Sequence, residues 1–513
     1  MIKNGIGREI PNEMEGMGKF MPYTSPFGVL PTARRHGKKI KVHQPGQSKL
    51  LDSLETAIRK TGLKDGDTIS FHHHFREGDY ILNLVVDKIA ELGIKNITLF
   101  GSSLNAVHTP LIEHIQNGVI TRIHTSGMRG KLGEAISRGL MDTPVIIRSH
   151  GGRARAIEAG EVQIDVAFLG IPCCDAYGNA NGYSGPSACG TLGYAMVDAK
   201  YADHVVLITD NLVSAPNVPA SINQTEVDYI VVAEAIGNPK GIVSGATRYT
   251  TDPKELQIAK YASRVIEHSG YFQDGFNLQA GTGGASLAVA RFLKNKMVDQ
   301  GIKAGAIIGG ITGQFVEMLE EGLADKILGV QDFDLIAAQS VGKNHNHYEI
   351  DAGFYASPHN SSPAVNLLDV VILSALEIDT QFHVNVITGS DGVMRGASGG
   401  HCDAAAGAKL TLVVSPLIRG RIPTVVDHVA TVITPGASVD MLVTERGIAI
   451  NPARPDLIDK LKDLGIPQFT IEELRDMAYG LTGKPDPIPY TDKIVGLIEY
   501  RDGTIIDVVR QVQ

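Results

Sequence analysis

The chain reads as one unit written twice. Asp65-Gly66 ahead of an apolar run recurs as Asp274-Gly275, Ile97–Gly101 as Ala306–Gly310, and Gly118 as Gly322. Asp165–Leu169 recurs as Asp369–Leu373, Val205–Ile208 as Leu410–Val413, and Val227-Asp228 as Val439-Asp440. Every offset falls between 204 and 212 residues. Generic elements match by chance, but one nearly constant offset over six of them does not. Within each copy, short Val/Ile/Leu runs bounded by glycine turns alternate with stretches of helical spacing. That alternation specifies an open, mostly parallel sheet flanked by helices, with ligand sites at the carboxyl ends of the strands. The fold class is therefore α/β, with two tandem domains and room for a site between them.

A chain of 513 residues exceeds one ordinary core. The expected division is a basic arm over 1–50, a first domain over 51–240 and a second over 241–513, joined near 236–255. The arm is rich in glycine and proline and carries Arg34, Arg35, Lys38, Lys39 and Lys41. In the second domain, Val439–Ile450 reads as one apolar strand with Glu445-Arg446 at its tip. A capped helix over Thr470–Tyr479 and two shorter strands follow. The net charge of −9 disfavours non-specific binding to nucleic acid. The first residues lack the apolar core of a signal peptide, and no uninterrupted apolar run approaches 18 residues, so a cytoplasmic protein is expected. Cys173, Cys174, Cys189 and Cys402 suit neither a disulfide framework nor a zinc site.

The chemistry concentrates in the second copy. Gly389–Asp403, GSDGVMRGASGGHCD, places glycines 389, 392, 396, 399 and 400 among Asp391, Arg395, His401 and Asp403. A second glycine turn, GTGG, spans 281–284. Glycine lets a backbone approach a ligand closely, so the N–H groups of Gly281, Gly283, Gly284, Gly399 and Gly400 are candidates to hold a developing oxyanion. At the equivalent strand end of the first copy stand His72, His73, His74 and Arg76. Arg76 and Arg395 suit carboxylates by the planar fork of the guanidinium. His72, His74, His401 and Asp391 complete the candidate substrate contacts. Strand alternation turns His73 away from its neighbours, so the histidine run is not read as a metal site. Glu445 and Arg446 are either an ion pair pinning the last strand or catalytic.

The tandem halves, GTGG, the GASGGHCD loop and the closing VTERGIA together resemble the coenzyme A transferases, and HHHFREGD with the long arm places the resemblance nearest the branch that serves citrate lyase. The resemblance covers the whole chain. It implies a citrate CoA-transferase that turns acetyl-carrier plus citrate into citryl-carrier plus acetate. The thioester would sit on a phosphoribosyl-dephospho-CoA group of an acyl carrier protein, the gamma subunit, with a beta subunit as the lyase and a homo-oligomeric arrangement in the complex. Many members of the wider family use a glutamate nucleophile, which by this resemblance falls at Gly309 or Gly310, where no carboxylate exists. Attack by a citrate carboxylate through a mixed anhydride is the consistent reading. The alternatives are an acetate or hydroxyacid CoA-transferase or acyl-CoA hydrolase using Glu445 or Glu349, and a ligand-sensing protein without activity.

Overall fold

The computed structural model describes residues 1–29, 34–243, 250–281 and 283–513. Thr282 of the GTGG turn and residues 244–249 of the expected junction lie outside them. The first sheet is built on β1 (Thr68–Phe71), β2 (Ile97–Gly101), β3 (Ile120–Thr125), β4 (Val145–Arg148), β5 (Val166–Gly170), β6 (His204–Thr209) and β7 (Tyr229–Val232). The second contains β8 (Phe276–Ala280), β9 (Ala304–Ile311), β10 (Ala324–Asp332), β11 (His347–Glu349), β12 (Val370–Ser374), β13 (Leu410–Val414), β14 (Met441–Val443) and β15 (Ile448–Ile450). Across the first sheet the spatial order runs β4-β3-β2-β1-β5-β6-β7, and across the second β11-β10-β9-β8-β12-β13-β14. The two orders are the same and all these pairs are parallel.

The repeated aspartates explain part of the repeat. Asp165 accepts from the Thr68 amide at 2.8 Å, and Asp369 accepts from the Asn277 amide at 2.8 Å. Asp228 likewise receives the Val205 amide at 2.8 Å, and Asp440 the Thr411 amide at 2.7 Å. Each carboxylate satisfies the first or second amide of a neighbouring strand, a donor near the start of the parallel ladder.

Three expectations change. The tail does not belong wholly to the second domain: β16 (Tyr490–Glu499) pairs parallel with β4, and β17 (Ile505–Val512) pairs antiparallel with β16, so both extend the first sheet. They are long strands, ten and eight residues. Val439–Ile450 is not one strand but the antiparallel hairpin β14–β15, because Gly447 at φ 153° turns the chain after Glu445-Arg446. The basic arm lies along the first half. Lys38 donates to the carbonyls of Ala199 and Glu226 at 3.0 and 3.2 Å, and Lys39 and Lys41 pair with Asp203 and Asp228. The helix expected at Thr470 forms as Ile471–Thr482, with Thr470 and Glu473 closing a capping box.

Candidate active site between the halves

A cavity of about 700 Å³ opens where the carboxyl ends of the two sheets face each other. The GASGGHCD loop is one of its walls because it is sewn to the first half. The Ser398 amide donates to Ser126 O at 2.7 Å, Met128 N to Gly396 O at 3.1 Å, and His150 N to Gly399 O at 2.8 Å. Gly127 is needed there: a Cβ would overlap Ala397. Beyond the loop, Asp403 accepts from Ser149 Oγ and from Gly151 N, both at 2.9 Å, with Arg501 at 3.5 Å. Those groups begin α1 (His150–Glu158), whose N-cap is Ser149. The helix start of one half and the glycine loop of the other are thereby fixed to one another.

The first half's contribution is cationic. Arg76 and Arg129 line the cavity. Arg76 holds a left-handed backbone at φ 53°, lays its guanidinium 5.0 Å over the Phe333 ring and leaves Nη1 without a partner. Burial, and then the charge of Arg129, lower its pKa to about 10. Burial also lowers Arg129, against the opposing pull of Glu77. Glu77 accepts from the amides of Ala106 and Val107 at 3.3 and 3.1 Å. Two guanidinium groups that repel each other across one cavity make a site for an anion with more than one charge.

The histidines are distributed differently from the sequence expectation. His72 and His74 face each other through their Nδ1 atoms, and His73 is the one that lines the cavity. The three follow β1 rather than lie on it, and His73 and His74 both stack on the Tyr194 ring, at 5.0 and 5.5 Å, so the expected alternation does not hold. Burial lowers the pKa of His72 to about 4 and those of His73 and His74 well below the usual value, so none is a cation for substrate. His401 lines the cavity with both nitrogens engaged, Nδ1 with Thr434 Oγ1 at 2.7 Å and Nε2 with Ser374 O at 3.0 Å.

Of the glycine amides, Gly281 N is already spent on Ile372 O at 2.9 Å. Gly283, Gly399 and Gly400 line the cavity. Gly283 is the N-cap of α2 (Gly284–Gln300), so Gly284 opens that helix rather than the cavity wall. Gly400 approaches Tyr355 so closely that a Cβ would sit 2.5 Å from its hydroxyl. Arg395 reaches the rim, 55% exposed, in a bidentate pair with Asp391 at 2.8 and 2.6 Å. Asp391 itself does not line the cavity. Glu445 accepts from Leu417 N at 2.9 Å, and Arg446 N donates to Thr444 Oγ1 at 3.1 Å; both stand outside the cavity in the β14–β15 turn. Glu349 accepts from Leu192 N at 2.5 Å, also outside.

Sequence reasoning missed four lining residues: Arg129, His150, Tyr194 and Glu377. Ser-His-Gly-Gly at 149–152 does mark a capped helix start, which is the one clue to His150. Glu377 receives Asn385 Nδ2 at 2.9 Å and Ala430 N at 3.1 Å on the same oxygen, and burial raises its pKa.

Residues 47–512 match the family described as citrate lyase, alpha subunit (CitF). The chain belongs to the citrate lyase alpha-subunit family. It is 58% identical over 494 residues to the citrate lyase alpha chain of Klebsiella pneumoniae, covering 96% of this chain and 97% of that one. It superimposes with a TM-score of 0.97, at 60% identity and over 99% and 100% of the two chains, on a structure described as the alpha subunit of citrate lyase from Streptococcus mutans in complex with citrate. A malonate decarboxylase hetero-tetramer chain from Pseudomonas shares the fold at a TM-score of 0.63 and 14% identity, over 86% and 84%. Among the described residues of this family member, no helix is long and apolar enough to cross a membrane.

Proposed function

We propose that the chain exchanges acetyl for citryl on the thioester of an acyl carrier protein, with citrate supplying the attacking carboxylate. One observation carries this reading: Arg76 and Arg129 line the same cavity as the glycine-rich loop, and by the family resemblance glycine stands where a nucleophilic glutamate would. Gly309 has φ 100°, and a Cβ on Gly310 would overlap the Phe333 ring, so a carboxylate side chain does not fit there. Citrate bound in the Streptococcus mutans structure supports the choice of anion.

A citrate carboxylate attacks the acetyl thioester, the sulfur leaves as thiolate, and a citric–acetic anhydride forms. The thiolate then attacks the citryl carbonyl and acetate departs. The arginines hold the remaining carboxylates, and the amides of Gly283, Gly399 and Gly400 receive the oxyanion. Arg395, with Asp391, stands at the entrance. The thioester belongs to a phosphoribosyl-dephospho-CoA group on the gamma subunit, and the beta subunit cleaves the citryl product.

The second reading is an enzyme-bound acyl intermediate on Glu377, the carboxylate that lines the cavity. Hydroxylamine trapping during turnover, followed by peptide mass spectrometry, separates the two. No modified glutamate is expected; a hydroxamate on Glu377 would establish the second reading.

A further inference from the structure

Tyr194 belongs to a helix of the first half, Gly193–Tyr201, and points its hydroxyl at His150, 2.6 Å from Nδ1. Burial raises the Tyr194 pKa well above its usual value, so the hydroxyl keeps its hydrogen. Among the described residues His150 Nδ1 is the hydroxyl's one partner, and in the arrangement the proposal uses the phenol donates and Nδ1 accepts. A neutral imidazole that accepts at Nδ1 carries its own hydrogen at Nε2. His150 is neutral: burial, with Arg153 and Arg129 nearby, lowers its pKa to about 3. It also starts a helix, where the dipole opposes a positive ring. Its ring lies beside Gly399, with Cε1 3.9 Å from where a Cβ on Gly399 would be, and it lines the cavity.

Resting on the transferase reading above, we infer that His150 is a catalytic residue, donating its Nε2 hydrogen to the tetrahedral oxyanion beside the Gly399 and Gly400 amides, and that Tyr194 is the positioning residue that sets its tautomer. When the citrate carboxylate oxygen bonds to the thioester carbon, the carbonyl π pair moves to oxygen, where His150 and the amides meet it. Collapse of that adduct breaks the carbon–sulfur bond and the pair leaves with sulfur. The thiolate then adds to the citryl carbonyl and acetate takes the carbon–oxygen pair. The imidazole holds its proton throughout. A neutral donor suits this role, because an imidazolium would bind citrate as a salt and hold the ground state as firmly as the transition state.

The test is the exchange assay on the assembled enzyme with acetyl-carrier and labelled citrate. His150→Asn, whose amide mimics Nδ1, should lose 100- to 1,000-fold in kcat, the usual range for one such donor. The KM for citrate should stay within about threefold, since the donor acts on the transition state. His150→Gln, whose amide reaches the Nε2 position, should stay within about tenfold of wild type on the same scale. Near-wild-type kcat in His150→Asn, a loss confined to KM, or equal loss in both variants would overturn the inference. A second measurement needs no variant to fold. Nitrogen-15 histidine NMR of the wild type should show His150 protonated at Nε2 and untitrated from about pH 5 to 9; an Nδ1-protonated ring refutes it. Absence of exchange in the wild type would instead sink the transferase reading.

Discussion

Arg76→Gln separates stability from ligand binding. In the free protein Arg76 is a half-buried cation beside Arg129 with a buried, unpartnered Nη1. Its pKa falls from 12.5 to about 10, which corresponds to roughly 3 kcal/mol against the charged form in the fold. The sign follows from linkage: a base with a lowered folded pKa destabilises the fold wherever it is charged, so the cost is present in full at pH 7 and disappears only as pH rises beyond 10. Glutamine removes the charge and leaves the left-handed backbone in place. With about 2.1 cal/mol/K of unfolding entropy per residue over 513 residues, the melting temperature should rise by about 1 to 3 °C. Citrate, which restores a counter-charge to the wild type, should then stabilise the variant less. Losing one charged hydrogen bond is worth about 1.5–3 kcal/mol, or roughly 10- to 150-fold in citrate affinity. Thermal melts with and without citrate at pH 7 measure both quantities. A variant that melts lower than wild type yet keeps the full citrate-induced shift would refute the reasoning.

Asp332 and Gly400 give two further tests. Asp332 is buried where the halves meet, accepts from Thr191 N at 2.8 Å and has its pKa raised to about 8 by burial, with Glu349 and Asp334 adding to the rise. His347, 3.8 Å away, is lowered to about 4 by burial and does not offset it. The folded state therefore holds a proton that the unfolded state has lost, and stability should fall as pH rises from about 4 to 8, by at most about 1.4 kcal/mol per pH unit. Asp332→Asn should flatten urea midpoints between pH 5 and 8; an unchanged slope would show that another group is responsible. Gly400→Ala places a Cβ against the Tyr355 hydroxyl, itself bonded to Gln279 at 2.9 Å, and should cost about 1–3 kcal/mol along with most activity. Adding Tyr355→Phe should recover part of the stability, and no recovery in the double variant would place the damage elsewhere.

The fold was legible where its determinants are local or recur. Glycine turns are local, and the aspartates at 165, 228, 369 and 440 were visible because they recur at one offset, although the amides they accept from lie on other strands, up to 97 residues away. The GASGGHCD loop was legible by its density of glycine. What depends on distant contacts alone was not. His150 and Tyr194 acquire their meaning only when two helices of the first half meet the loop of the second. β1 ends at Phe71, so strand alternation does not sort the histidines, and the turn that follows it decides that His73 reaches the cavity. The shift of β16 and β17 to the first sheet has no local mark at all, since a strand's sequence does not name its neighbour.

That last placement means the polypeptide closes as a clasp. A fragment ending at the junction would leave β4 as a raw edge, ready to recruit strands from other molecules. On the ribosome the leading unit waits for the final stretch to emerge before its largest sheet is complete. Nicking the joint between the units should therefore leave a tied pair rather than two free domains.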